Sequence, residues 1–105
     1  MLARTWRGAT RATDADRYAK YVEATGLRSF AETPGNRGSL LLTRPVDLDG
    51  EPGTEFLVVS LWDSMDAVKR FAGPDPERAV FYPEDDAYLV RRDVTVDHYE
   101  VVVRR

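Results

Sequence analysis

Apolar positions along the chain change period several times, and each change marks an element. Residues 2–9, "LARTWRGA", read as a short strand. In "TDADRYAKYVEATG", Ala15, Tyr18, Ala19 and Val22 fall at i, i+3, i+4 and i+7, one face of a helix. Thr13 or Asp14 is placed to cap it, and Gly26 to stop it. "ETPGNRG" (32–38) is a loop by composition, and "GSLLLTRPV" (38–46) a strand. The turn signals of "DLDGEPG" (47–53) predict a hairpin into a strand over 55–62. Asp63 or Ser64 then caps a helix with Met65, Val68, Phe71 and Ala72 on one side, ended by Gly73 and Pro74. Residues 75–89 read as a loop holding one or two helical turns, with Pro83 and the acids of "PEDD" in a first turn. "VTVDHYEVVV" (94–103) reads as one long last strand.

The order β-α-β-β-α-β matches the ferredoxin-like unit: an α+β fold with one antiparallel sheet and its helices on one face. All 105 residues form one domain. Alternation in the strand at 55–62 puts Phe56, Val58, Ser60 and Trp62 on one face and Leu57, Val59 and Leu61 on the other. Leu40 and Leu42 oppose Leu41 in the same way, and in the last strand Val94, Val96 and His98 oppose Tyr99, Val101 and Val103. Two helices cover only one face, so the apolar second face needs another cover. A second copy of the sheet supplies it, which predicts a homodimer packed through that face. A monomer whose second face lines a ligand groove, or lies under the 75–93 segment, is the alternative.

Composition narrows the chemistry. With a formal net charge of −3 the chain has no basic excess to neutralise phosphates, so nucleic acid is not an expected partner. The absence of cysteine removes disulfides, thiolate nucleophiles and thiolate metal ligands. The opening "MLARTWRG" has no long apolar run, so neither a signal peptide nor a membrane span is expected, and the cytoplasm is the default location. Metal binding by "PEDD" is not expected, because adjacent acids on a helix cannot all face one ion.

The remaining candidates are few. His98, the only histidine, is either a base near neutral pH or a hydrogen-bonded strand residue. Trp62 and Trp6 are stacking walls for a planar ligand, or core. Ser60 is a small gap between Val58 and Trp62. Tyr18 and Tyr21 carry phenols on the first helix, with Tyr18 on the apolar stripe. Arg4 and Arg44 lie on strands, where each holds an anion or sits at an exposed edge.

The stretches "TPGNRGSLLL", "EFLVVSLWDSMDAVKRFAG", "RAVFYPEDDAYL" and "VDHYEVV", with Trp62, Ser64, Ala67 and Phe71 as anchors, resemble the antibiotic biosynthesis monooxygenase family of the dimeric α+β barrel superfamily. The resemblance implies a homodimer with sheets face to face and a cavity between sheet and helices in each protomer. Some members oxidise aromatic polyketides with molecular oxygen and no cofactor, others degrade haem, and many have no known activity. The haem branch uses an Asn on the first strand, a Trp on the second helix and a His further on. The corresponding positions here hold no Asn, Phe71 and a residue near Phe81, and the only Asn is Asn36, placed in the loop. Haem degradation is therefore not expected.

Taken together, these readings predict a cofactor-independent monooxygenase acting on a small aromatic, polyketide- or quinol-like molecule. His98 would be the base, Trp62 a stacking wall and Tyr21 a phenol donor, with Trp6, Tyr18, Ser60 and Phe71 around the ligand. A non-catalytic binding or structural dimer, and an isomerase or dehydratase of the same superfamily in which His98 moves protons, are the alternatives.

Overall fold

Strand β1 (Leu2–Arg11) is the middle of the sheet in the computed structural model, which describes residues 1–105. It pairs antiparallel with β3 (Glu51–Trp62) along its whole length, from Leu2 opposite Trp62 to Arg11 opposite Gly53. Strand β2 (Asn36–Leu48) edges β3. The other side of β1 is shared by two short strands, β4 (Leu89–Arg92) against Gly8–Thr10 and β5 (Asp97–Glu100) against Leu2–Thr5. The resulting order, β2-β3-β1 followed by β4 and β5, is the ferredoxin-like arrangement that the element pattern predicts.

The long last strand expected over 94–103 is shorter: only Asp97–Glu100 is strand, and the unpredicted β4 (Leu89–Arg92) precedes it. Val94 and Val96 lie off β1 and bond instead to the segment at residues 77–79, through Ala79 N to Val94 O (3.0 Å) and Val96 N to Glu77 O (2.8 Å). Asp93 marks the departure. Its N–H still donates to Arg7 O (2.9 Å), while its carbonyl accepts from the Trp6 indole (2.7 Å).

The β2–β3 hairpin turns on Asp49 and Gly50, whose positive φ values of 52° and 96° suit a tight two-residue turn. Pro52 and Gly53 lie in β3 itself, and a Cβ on Gly53 would stand 2.4 Å from Leu48 Cγ, so the side chain of Leu48 fills that gap.

The first helical stretch is longer than predicted. A short 3-10 turn (Ala12–Asp14) leads into α1 (Ala15–Val22). Gly26 does not stop it. The backbone widens into a π turn over Glu23–Leu27 and continues as α2 (Arg28–Glu32), which carries Phe30 to the core. Asp14 makes no capping bond; its carboxyl is taken by Arg17. Helix α3 (Met65–Ala72) is capped by Ser64, whose Oγ accepts from Ala67 N at 3.2 Å, and α4 (Asp85–Tyr88) is a single turn. Asn36 opens β2 rather than lying in a loop. It holds a bulge there, donating to Leu61 O (3.1 Å) and accepting from Gly38 N (3.1 Å).

Every helix with a core residue lies over one face. Tyr18, Val22, Phe30, Ala67 and Val68 pack on Phe56, Val58 and Trp62, one of the two β3 faces that alternation separates. On the opposite face Leu40, Leu42 and Tyr99 are exposed, and Leu57, Val59 and Leu61 are half-buried. No helix is long and apolar enough to cross a membrane.

Candidate functional site

Between the inner face of the sheet and α1 lies a cavity of about 60 Å³. Its floor is Arg4, Trp6, Val58 and Ser60 from β1 and β3. Its roof comes from Tyr18, Val22, Gly26 and Phe30, and its outer wall from Ala79–Tyr82 and Asp85. The π turn brings Gly26 against the outer wall, where a Cβ would meet Tyr82 in ordinary contact at 3.9 Å. Val80 and Phe81 are exposed as well as lining, which places the mouth of the cavity beside them.

The four residues expected around a ligand, Trp6, Tyr18, Ser60 and Phe71, all reach this cavity. The three expected to do chemistry stand elsewhere. Trp62 is completely buried; its indole donates to Ser60 Oγ (2.8 Å) and its ring packs on Phe30 and Phe71. Tyr21 points to α4, where its hydroxyl accepts from Glu84 N (2.9 Å). His98 faces inward opposite Arg4, but outside the cavity lining, with Nε2 buried and unbonded. Burial, then the nearby Arg4 charge, holds its imidazolium below the ordinary histidine range.

Two polar groups dominate the wall. Asp85 is 5% exposed, and both its oxygens are engaged: Oδ1 accepts from the Tyr18 hydroxyl (2.9 Å) and Oδ2 from Tyr82 N (2.7 Å). Burial, and then the Asp85 charge and hydrogen bond, push the Tyr18 phenol well above the ordinary tyrosine range, so Tyr18 keeps its proton. Arg4 is the other group, a buried guanidinium that donates to Arg78 O (2.8 Å) and lies 5.5 Å over the Phe71 ring. Arg44, its counterpart in the sequence reading, is instead an exposed partner of Glu55 at 2.7 Å.

Asp85 escaped the sequence reading because "PEDD" looks like three equivalent acids stabilising a helix start. Only the fold separates them: Asp85 turns inward, Asp86 pairs with Arg92 (2.6 Å), and Glu84 is exposed. No three His, Cys, Asp or Glu side chains converge to hold a metal ion.

No family model and no curated protein matches the sequence. Solved structures do. One, from Bacillus cereus and named for antibiotic biosynthesis monooxygenase, matches with a TM-score of 0.66 at 15% identity, over 99% of this chain and 95% of its own. A mutant of MhuD with two manganese protoporphyrin IX molecules per active site matches with a TM-score of 0.65 at 20% identity, over 100% of this chain and 98% of its own. At these identities the likeness is one of fold, and it extends end to end.

Proposed function

We propose that this chain is an antibiotic-biosynthesis-monooxygenase-like homodimer whose protomers each bind a small electron-rich phenol and oxidise it with molecular oxygen. The observation that carries the reading is the aromatic-walled cavity with the Tyr18–Asp85 pair on its surface. The Tyr18 oxygen donates to Asp85 and still has lone pairs to accept a proton from a substrate hydroxyl. As that proton arrives, Tyr18's own proton can pass to Asp85, leaving a phenolate able to reduce oxygen directly. For a phenol with a free para carbon, the ring gives up its O–H and para C–H hydrogens. One oxygen atom becomes the new carbonyl of a quinone and the other leaves as water, so the substrate supplies all the electrons. The protein's part is to orient the ring and exclude water.

The cavity is small for any ligand, since ordinary pockets run to about 300–1,000 Å³. A single ring must enter through the mouth at Val80 and Phe81, or the outer wall must shift. The same size argues against haem. The positions matched to the haem branch offer Phe71 and Phe81, Asn36 is spent on the β2 bulge, and the only histidine is off the cavity. These residues do not fit a porphyrin.

The homodimer rests on the outer sheet face, where Leu40, Leu42, Leu57, Val59 and Leu61 form one apolar surface bounded at one end by the Arg44–Glu55 pair. The test of the whole reading is oxygen uptake by the purified protein with a panel of single-ring phenols, using heavy-isotope oxygen and mass analysis of the product. Label in a quinone supports it. A bound phenol with no oxygen uptake replaces it with a second reading, non-catalytic binding, which is favoured by the full engagement of both Asp85 oxygens in the protein.

A further inference from the structure

We infer that the cavity selects an aromatic carboxylate and that Arg4 is the residue that holds its carboxyl group; this rests on the reading of the cavity as a ligand site. Eight other arginines, Arg11, Arg17, Arg28, Arg37, Arg44, Arg78, Arg91 and Arg92, have an acidic partner within 4.0 Å. Arg4 is the most buried, 4% exposed, and is on the cavity wall, yet it has no acidic partner. Its contacts are the carbonyls of Arg78 (2.8 Å) and Pro76 (3.4 Å), and its Nε is buried with no partner at all.

A buried charge without a counter-charge is unfavourable, and so is a buried donor without an acceptor. The Phe71 face offsets part of the first and none of the second. Burial draws the Arg4 pKa down to about 10, which still leaves the side chain charged at neutral pH. Inside the cavity a carboxylate is the chemistry that resolves both, because its oxygen can accept from Nε while Nη2 keeps its bonds to the carbonyls of Arg78 and Pro76.

The other charge at the cavity does not oppose this. Both oxygens of Asp85 are turned to Tyr18 and to the Tyr82 backbone, so the cavity meets the Tyr18 oxygen rather than a free carboxyl. Trp6, Phe71 and Phe81 supply the apolar surface between the two polar groups. A hydroxyaromatic acid satisfies all three regions: carboxylate on Arg4, ring among the aromatics, hydroxyl toward Tyr18.

The test is titration of the intact protein with benzoate and with benzamide, its neutral isostere, by calorimetry and by the Arg4 Nε–H proton resonance. Benzoate should bind about tenfold more tightly, as a charge-assisted pair requires, and should move that resonance. Arg4→Met should abolish the preference and Arg4→Lys should retain part of it. Equal affinity for the two probes, or benzoate binding that leaves Nε–H unmoved, would overturn the assignment and make Arg4 a strut for residues 76–78. The wild-type comparison decides the matter even if Arg4→Met does not fold. Because oxygen uptake is not a readout, selective benzoate binding upholds the Arg4 assignment even where the oxygenase reading fails.

Discussion

The Tyr18 hydroxyl donates to Asp85 Oδ1 at 2.9 Å, joining α1 to α4 across 67 residues of sequence. Tyr18→Phe keeps the ring, whose edge packs on Phe56, and removes only the donor. It leaves a buried carboxyl oxygen unpaired, so stability should fall by about 1–3 kcal/mol in urea unfolding. The raised Tyr18 pKa adds a signature at high pH. Above about pH 10 the unfolded phenol ionises while the folded one does not. Stability from this group is therefore full below that pH and lost as pH rises. Alkaline denaturation should be shallower in Tyr18→Phe than in the wild type.

His98 titrates in the opposite sense. Its folded pKa lies below the ordinary histidine value of about 6.5, chiefly through burial and then through Arg4, with Glu77 and Asp97 opposing. The unfolded state thus binds its proton first as pH falls. Stability from this group is complete above about pH 6.5 and declines as pH drops toward the folded pKa. Melting temperature recorded between pH 7 and 5 should fall more in the wild type than in His98→Gln. Equal slopes would place the acid sensitivity elsewhere.

Gly8 gives the Trp6 ring its seat. A Cβ at position 8 would lie 2.4 Å from Trp6 Cη2 and 3.0 Å from Leu89 Cδ2. Gly8→Ala should push the indole toward the cavity, weaken its bond to the Asp93 carbonyl, and cost about 1–3 kcal/mol as an overpacked site does. Altered tryptophan fluorescence together with weaker benzoate binding would report the displacement; an unchanged emission would contradict it.

The dimer makes a plain demand on the outer face. Leu42→Glu places a charge beside Leu57, its cross-strand partner, on a surface that touches neither the core nor the cavity. Sedimentation should show a dimer for the wild type and a monomer for the variant, with the far-ultraviolet circular dichroism unchanged. A wild-type monomer at micromolar concentration would end the homodimer proposal.

Much of the architecture was legible because it follows from local rules. Period-two alternation over 55–62 divided the strand into its two apolar faces, since successive strand side chains must point oppositely, but the structure showed which of them the helices cover. The i, i+3, i+4, i+7 set placed Tyr18 and Val22 on the core for the same geometric reason. The cap of α3 was narrowed to Asp63 or Ser64, of which Ser64 takes it, and Asp-Gly marked its turn. Gly26 misled because a glycine is a stop only where the chain has nothing to pack against further on; here Phe30 and the outer wall reward continued helix.

What the sequence could not carry was any relationship formed between distant segments. Val94–Val96 has the look of a strand along β1, yet its hydrogen bonds go to Glu77–Ala79, because the chain there must wall off a cavity. One acid in a run of three became the buried partner of a tyrosine, and one arginine among thirteen became the buried cation without a counter-charge. Burial and pairing are properties of the assembled volume rather than of spacing along the chain. The sequence by itself therefore determined the order of the main elements, the division of the strands into two faces and the apolar character of both. Only the tertiary structure decided which polar groups lost their water, and those are the groups on which the proposed chemistry rests.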